Sequence, residues 1–169
     1  NDTPEFDAPA NYLKTNDSAK AGVGIDFVHG NIDAFDEFMD LHHKGVFRGP
    51  YLLGFDVGRT NDASEIIILQ EADDNNQIPR CNITMKNMSL PEQRANTRRI
   101  VETLKNSINK FGIDANGIGL NIYEDLDAEF SDMIVKLPFN NNAWKEKACR
   151  QMKFRMSMQK MALPTYRPF

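Results

Sequence analysis

The chain has 169 residues, of which 41% are hydrophobic and 26% are charged, and its formal net charge is −4. This length suffices for one domain with its own core and is short for two, and no apolar run approaches the roughly 18 residues of a membrane span. The negative charge argues against a protein that coats nucleic acid non-specifically, but it does not exclude other contacts with nucleic acid, because the distribution of charge matters more than its sum.

The charges are unevenly distributed along the chain. Residues 1–49 are rich in Asp and Glu, whereas residues 145–160 carry six basic side chains against one acid, Glu146. Because the chain begins at Asn1 without an initiator Met, we expect a fragment of a longer protein. Cys81 and Cys149 have no metal-ligand spacing, so we expect two reduced thiols, as in a cytosolic protein.

Residues 1–49 predict an acidic, irregular lead-in with one short helix. Gly and Pro punctuate residues 1–30, which indicates turns and loops. The apolar spacing of residues 32–41 predicts an amphipathic helix that Gly45 ends. Gly49 and Pro50 mark a turn, and we expect residues 50–169 to form the main domain, incomplete at its C-terminal end.

Three strands follow the turn. Residues 51–57 are apolar and end near an acid, residues 65–70 are rich in β-branched side chains, and residues 80–85 alternate. The turn at 58–62 and the polar loop at 73–77 are short, so these strands are expected to form an antiparallel meander.

The second half of the domain alternates predicted helices and strands. Ser89, Pro91 and Glu92 predict a capped helix start. The apolar spacing from Thr97 through Ile108 to Phe111 predicts that this helix runs to Gly112. A strand at 133–137 is expected between helices at 121–130 and 144–162. The predicted order is β-β-β-α-β-α-β-α.

Two acids lie where the predicted chain turns. Asp56 ends the first strand, where an uncompensated carboxylate is costly to bury. Asp114 precedes a turn in which Gly117 and Gly119 allow tight backbone packing. Each residue alone is consistent with a plain turn. Together they are consistent with a site for Mg²⁺, a cation that prefers carboxylate oxygens.

Two sequence motifs point to a family. Residues 54–64 (GFDVGRTNDAS) resemble the first-strand motif of the nuclease domains of terminase large subunits, in which an Asp ends the strand and a second Asp follows. Residues 113–119 (IDANGIG), with the later pair Asp125-Leu126, resemble the second motif of that family. The resemblance covers residues 50–164.

The resemblance implies an α/β fold of the RNase H-like class: a mixed sheet, with three antiparallel strands followed by parallel strands, and helices on both faces. It also implies metal-dependent endonucleolytic cutting of concatemeric viral DNA during genome packaging. Carried over by position, Asp56 and Asp114 are the catalytic metal ligands for two Mg²⁺ or Mn²⁺ ions, and Asp62 is a nearby acid or a further ligand.

The family further implies double-stranded viral DNA, a terminase small subunit and a portal protein as partners. It implies a location in the host cytoplasm, at the procapsid, and no membrane; the isolated domain is expected to be a monomer. One departure is clear, because the family has a third acid late in the domain. The last acid of this sequence is Glu146, so that ligand is expected either outside this fragment or supplied from elsewhere. The phosphate-binding loop of the packaging ATPase is also missing from the sequence.

Several other residues are candidates for DNA contacts. Arg59 and Thr60 follow Asp56 and could face a phosphate. The basic helix could follow a DNA backbone through Lys145, Lys147, Arg150 and Lys153. We expect its methionines, Met152, Met156, Met158 and Met161, to fill the core. We expect His42, His43 and the acidic cluster Glu124, Asp125 and Asp127 at the surface; Glu124 or Asp125 is the reserve ligand if Asp114 points away.

Two other functions remain open at this point. Residues 56–61 also resemble the first phosphate motif of the actin and sugar-kinase type of nucleotide-binding domain, although a second half is not evident. Alternatively, a domain without a third acid is a non-catalytic RNase H-like interaction module.

Overall fold

The computed structural model describes residues 27–58, 62–158 and 160–161. In this part of the chain the elements are β1 (Val28–Gly30), α1 (Ala34–His43), β2 (Tyr51–Asp56), β3 (Ser64–Ala72), a short 3-10 turn (Asp73–Asn75), β4 (Asn76–Met85), α2 (Leu90–Leu104), β5 (Ile108–Asp114), α3 (Gly119–Phe130), β6 (Ile134–Leu137) and α4 (Asn142–Ser157). No described helix is both long and apolar enough to cross a membrane.

The strands form one mixed sheet in the order β1-β4-β3-β2-β5-β6. Strands β2, β3 and β4 form the expected antiparallel meander, and β5 and β6 join it in parallel to β2. Strand β1 adds to the free edge of β4 in parallel. From β2 onward the predicted β-β-β-α-β-α-β-α order is confirmed, and the sheet has the RNase H-like arrangement.

One face of the sheet carries the core. Side chains alternate along a strand, and Tyr51, Leu53 and Phe55 of β2 are buried while Asp56 is exposed. Three contacts place the first three helices on this buried face. The Cys81 thiol lies 3.8 Å from the Ala34 carbonyl oxygen of α1, Ser64 bonds to Gln93 of α2 at 2.6 Å, and Lys136 lies 5.6 Å from the Tyr123 ring of α3.

The described part of the acidic lead-in belongs to this same core. Residues 28–30, which lie in the stretch expected to be irregular, form β1, and the helix expected at 32–41 is confirmed as α1. Phe35, Phe38 and Phe47 are buried with the sheet residues. His43 is exposed as expected. His42, expected at the surface, is instead half-buried, and its Nδ1 lies 2.8 Å from the Tyr51 hydroxyl oxygen.

The predicted length of the second helix is wrong. Helix α2 begins as expected, with Ser89 and Glu92 forming a complete capping box, but it ends at Leu104. Ile108 and Phe111 belong to β5, which pairs in parallel with β2. Their spacing continues the helical pattern by coincidence, and pairing with a buried strand outweighs that local preference.

The expectations for the last helix are also wrong in two respects. Helix α4 ends at Ser157 rather than 162, and its methionines do not fill the core, because none of its side chains is buried. Met152, Phe154 and Met158 are exposed. Apolar residues at every second position of a helix point to different sides, so they form no single stripe that could pack. Beyond the helix, the Lys160 carbonyl accepts a 2.9 Å bond from the Gln77 amide of β4.

Candidate metal centre

Asp56 and Asp114 end two adjacent parallel strands. Their preceding residues, Phe55 and Ile113, are register partners, and both are buried. The two aspartates therefore lie next to each other, on the opposite face of the sheet from the core. Since neighbouring strands are separated by about 4.8 Å, the two carboxylates start from backbones close enough to share a cation.

Glycines shape the backbone beside each acid. After Asp56, a β-carbon on Gly58 would come within 2.4 Å of the Ala63 carbonyl oxygen. After Asp114, Gly117 has φ +60°, and a β-carbon on Gly119 would lie 1.9 Å from the Asp114 carbonyl oxygen. Only glycine can occupy Gly58 and Gly119 without moving the backbone, which explains the punctuation that the sequence shows after both acids.

A third acid, Glu65, lies in the same row and was missed from the sequence. It is the direct partner of Asp56 in the β2–β3 ladder, so the two side chains share a face. Asn82 and Thr84 of β4 donate to its Oε2 at 2.8 Å and 2.9 Å, and these bonds draw Glu65 toward β4. The signal in the sequence was the acid at the start of a β-branched strand.

The hydrogen bonding of the aspartates fits a cation. Among the described residues Asp56 makes no hydrogen bond or ion pair, and the Oδ1 atom of Asp114 accepts from the amide and the side chain of Asn116. The Oδ2 atom of Asp114 has no such partner within the same residues. Two neighbouring carboxylates repel each other, and a divalent cation between them would remove that repulsion. The described residues do not, however, gather three His, Cys, Asp or Glu side chains around one point.

The same edge of the sheet carries two helix starts. Helices α2 and α3 begin just after β4 and β5 end, so the positive ends of both helix dipoles lie at the edge with the aspartates. A cleft of about 280 Å³ lies between their first turns, lined by Leu90, Pro91, Arg94, Asn121, Ile122 and Glu124. Within the described chain Arg94 makes no ion pair, so its charge is available there. No sequence motif marked Arg94.

The other predicted site residues are exposed or lie outside the described residues. Asp62 is exposed and does not join Asp56 and Asp114 in a three-ligand group within the described chain. Arg59 and Thr60 lie outside the described residues. Lys145, Lys147, Arg150 and Lys153 are all exposed on α4, and Arg150 pairs with Glu146 at 2.8 Å.

The acidic cluster on α3 is in part structural. Arg98 of α2 reaches Asp125 at 3.2 Å and Glu129 at 2.5 Å, and these two carboxylates raise the pKa of Arg98. Asp125 therefore helps to fix α3 against α2. Burial and then the nearby Asp127 raise the pKa of Tyr123, and Glu124 is exposed.

The fold is shared with nuclease domains of phage large terminases. The large terminase nuclease of thermophilic phage G20c with bound cobalt has a TM-score of 0.56 and 23% identity, over 71% of this chain and 61% of that chain. Its zinc-bound form has a TM-score of 0.55 at 22% identity, over 72% and 68%. The nuclease domain of Thermus phage P74-26 has a TM-score of 0.52 at 21% identity, over 71% and 60%.

This similarity establishes the fold. At this level of sequence identity, the chemistry has to be argued from the residues of the site. The chain spans about three fifths of the length of the cobalt-bound nuclease. No family model matches the chain, and no curated protein sequence does.

Proposed function

We propose that this chain is the nuclease domain of a viral genome-packaging terminase, and that Asp56 and Asp114 hold divalent ions for the hydrolysis of DNA. The observation that carries the proposal is the side-by-side position of these two aspartates at the ends of parallel strands. The fold of solved terminase nucleases supports it, and one of them, that of phage G20c, has been solved with bound cobalt, zinc and magnesium.

The chemistry follows from the carboxylates. Two bound ions, Mg²⁺ or Mn²⁺, would activate the attacking water and stabilise the leaving oxygen. Asp56 and Asp114 would each supply oxygen ligands, and the two bonds from Asn116 leave one oxygen of Asp114 free for that role. Because Asp56 is exposed, a nucleic-acid backbone can approach it. Asp62 stays a candidate for a weaker contact with the metal ions.

DNA would approach the edge that carries the aspartates. Helix α4 begins five residues after Leu137, the register partner of Asp114, so Lys145 and Lys147 lie in the turns of α4 closest to this edge. Arg94 lies in the first turns of α2, at the same edge. These positive charges would neutralise phosphates without reading sequence. Arg150 and Lys153 lie further along α4 and would extend the contact.

The wider biology follows from the same assignment. The substrate would be concatemeric double-stranded viral DNA, cut during packaging in the host cytoplasm at the procapsid, with the small subunit and the portal as partners. The third acid would come from outside the residues that the structure describes, because these gather no three-ligand group.

The proposal is tested by nicking of supercoiled plasmid in Mn²⁺, together with titration of Mn²⁺ binding. We expect Mn²⁺ binding by the native chain and nicking by a longer chain that contains it, both abolished in Asp56→Asn and Asp114→Asn. Asp132→Asn is the matched control, because Asp132 is exposed at the opposite edge of the sheet, just before β6. Undiminished nicking by Asp56→Asn would overturn the assignment.

A non-catalytic interaction module is the second candidate. The observation in its favour is that the described residues carry Asp56, Asp114 and Glu65 in one row and yet gather no three-ligand group. This alternative predicts no Mn²⁺ binding at either aspartate while DNA or protein binding persists. The nucleotide-binding alternative instead predicts saturable binding of ATP by calorimetry.

A further inference from the structure

A chain of buried polar groups connects the Asp56 turn to helix α2. Ser64, Gln93 and Thr97 are the buried polar residues in the described part of the core, and the other core residues there are hydrophobic. The Gly58 amide donates to the Ser64 hydroxyl at 2.8 Å, and that hydroxyl donates to Gln93 Oε1 at 2.6 Å. Gln93 in turn donates from Nε2 to the Met88 carbonyl oxygen at 3.0 Å. The chain thus starts two residues after Asp56 and ends on the segment that enters α2.

The distances decide how these groups are oriented. The Ser64 hydroxyl oxygen lies 2.6 Å from Gln93 Oε1 and 3.5 Å from the Gly58 carbonyl oxygen, so its one proton goes to the nearer Gln93 and its oxygen accepts from the Gly58 amide. Gln93 accepts at its oxygen and donates at its nitrogen, which fixes its amide. Buried polar groups are costly unless they are satisfied, and loss of the Ser64 hydroxyl would leave both the Gly58 amide and the Gln93 oxygen without a partner.

The backbone of Asp62 and Ala63 also packs closely against Gly58. A β-carbon there would come within 2.6 Å of the Asp62 carbonyl oxygen and 2.4 Å of the Ala63 carbonyl oxygen. The two ends of the turn are therefore packed together at Gly58 and Ser64. Asp56 precedes this point by two residues, and sheet pairing with Glu65 fixes it from the other direction.

We propose that Ser64 and Gln93 are positioning residues for Asp56, which they hold through the Gly58 amide. The inference rests on the proposed metal-binding role of Asp56. A metal site requires its ligands to be held within about 0.5 Å of their working geometry by supporting groups. Helix α2 is a firm anchor for this purpose, since it is capped by Ser89 and Glu92 and buries Ile100, Val101 and Leu104.

The test uses the full chain with Ser64→Ala and the nearly isosteric Gln93→Met. Thr97→Val is the matched control, since Thr97 is equally buried in α2 and bonds at 2.7 Å to the Gln93 carbonyl oxygen, not to the Gly58 turn. Two quantities are measured: the hydrogen-exchange rate of the Gly58 amide, and the Mn²⁺ dissociation constant. The native chain and Asp56→Asn give the two reference values of the Mn²⁺ dissociation constant, for an intact site and for a site without its Asp56 ligand.

We expect faster Gly58 exchange in Ser64→Ala and about tenfold weaker Mn²⁺ binding in both variants, as is typical when groups behind a metal ligand are removed. Thr97→Val should bind Mn²⁺ like the native chain. Ser64→Thr keeps the hydroxyl and should therefore also keep the Mn²⁺ affinity of the native chain. If Gln93→Met fails to fold, Ser64→Ala carries the test.

The failures are distinguishable. If the native chain binds no more Mn²⁺ than Asp56→Asn, the proposed function fails, and the positioning role fails with it. If the native chain binds Mn²⁺ and Ser64→Ala binds it equally well despite faster Gly58 exchange, only the positioning role is overturned. The same holds if Thr97→Val loses as much affinity as Ser64→Ala, because the loss would then reflect general destabilisation.

Discussion

Gly119, the first residue of α3, packs directly against the backbone of Asp114: a β-carbon at Gly119 would lie 1.9 Å from the Asp114 carbonyl oxygen and 3.2 Å from Val57. Helix α3 therefore starts in contact with the ends of both strands that carry the aspartates. The position of the helix and the position of the acids are fixed by the same contact.

Gly119→Ala should accordingly damage both stability and metal binding. The added methyl group must displace the strand end, and we expect a loss of about 3 kcal/mol in the free energy of unfolding, as for severe overpacking. Gly117→Ala is the control, since its β-carbon would meet nothing within 4 Å and would cost only the about 1–2 kcal/mol of a left-handed backbone. Urea denaturation measures the free energy of unfolding of the two variants. Equal losses in the two variants would contradict the contact.

Glu65→Gln should separate ligation from mere proximity of negative charge. Glu65 is the cross-strand partner of Asp56, but Asn82 and Thr84 hold its carboxylate. We expect Glu65→Gln to weaken Mn²⁺ binding by no more than about threefold, the size of a screened charge effect. Asp56→Asn should abolish specific binding. A loss in Glu65→Gln as large as that in Asp56→Asn would make Glu65 a ligand.

Stability should fall in alkaline solution because of two buried groups. Burial, with a smaller effect of Glu37, raises the pKa of the Cys81 thiol from 9.0 to about 12, and burial raises the pKa of Tyr51 from 10.0 to about 12. The folded chain holds these protons more tightly than the unfolded chain does. The resulting stabilisation is therefore complete below the unfolded pKa and is lost as the pH rises toward 12.

Cysteine variants isolate the first of these contributions. Between pH 9 and 10, the unfolding free energy of the native chain should fall by up to about 1.4 kcal/mol per pH unit more than that of Cys81→Ala. Cys149 is exposed, so Cys149→Ala should keep the native slope. Denaturation at stepped pH measures the three slopes, and identical slopes in the two variants would refute the assignment to Cys81.

The positive charges of Lys145, Lys147 and Arg94 near the edge with the aspartates predict a salt-dependent DNA affinity. Lys145→Glu combined with Lys147→Glu should weaken binding to duplex DNA and reduce the salt slope by about one unit for each phosphate that the protein no longer neutralises. Arg94→Glu should act in the same direction. Lys105→Glu, at the far end of α2 from the aspartates, should leave both quantities unchanged. Fluorescence anisotropy at several salt concentrations provides the comparison, and an equal effect of Lys105→Glu would indicate non-specific attraction.

Local patterns were sufficient to predict most of the fold. The capping residues Ser89 and Glu92 predicted the start of α2, and the short connections between three strand patterns predicted the meander. What could not be predicted was set by distant partners. Ile108 and Phe111 continue a helical spacing, and only their pairing with β2 makes them a strand. Likewise, β1 forms because the edge of β4 is available, which residues 28–30 do not encode alone.

The candidate site divides in the same way. Asp56 and Asp114 could be singled out because each ends a strand before a glycine turn. The sequence showed Glu65 only as an acid at the start of a strand, because its proximity to Asp56 depends on the register of two strands. Ser64 and Gln93 are ordinary polar residues in sequence, and only the folded chain reveals that they meet in the core beneath the Asp56 turn.

The proposed metal centre depends on Asp56 and Asp114 sharing a divalent cation. Anomalous diffraction from crystals of this chain soaked in Mn²⁺, with Asp56→Asn crystals treated identically, tests that sharing without relying on activity. We expect a peak within coordination distance of both carboxylates, lost in the variant. A native crystal with no peak there, or with a peak that persists in Asp56→Asn, would contradict the shared site.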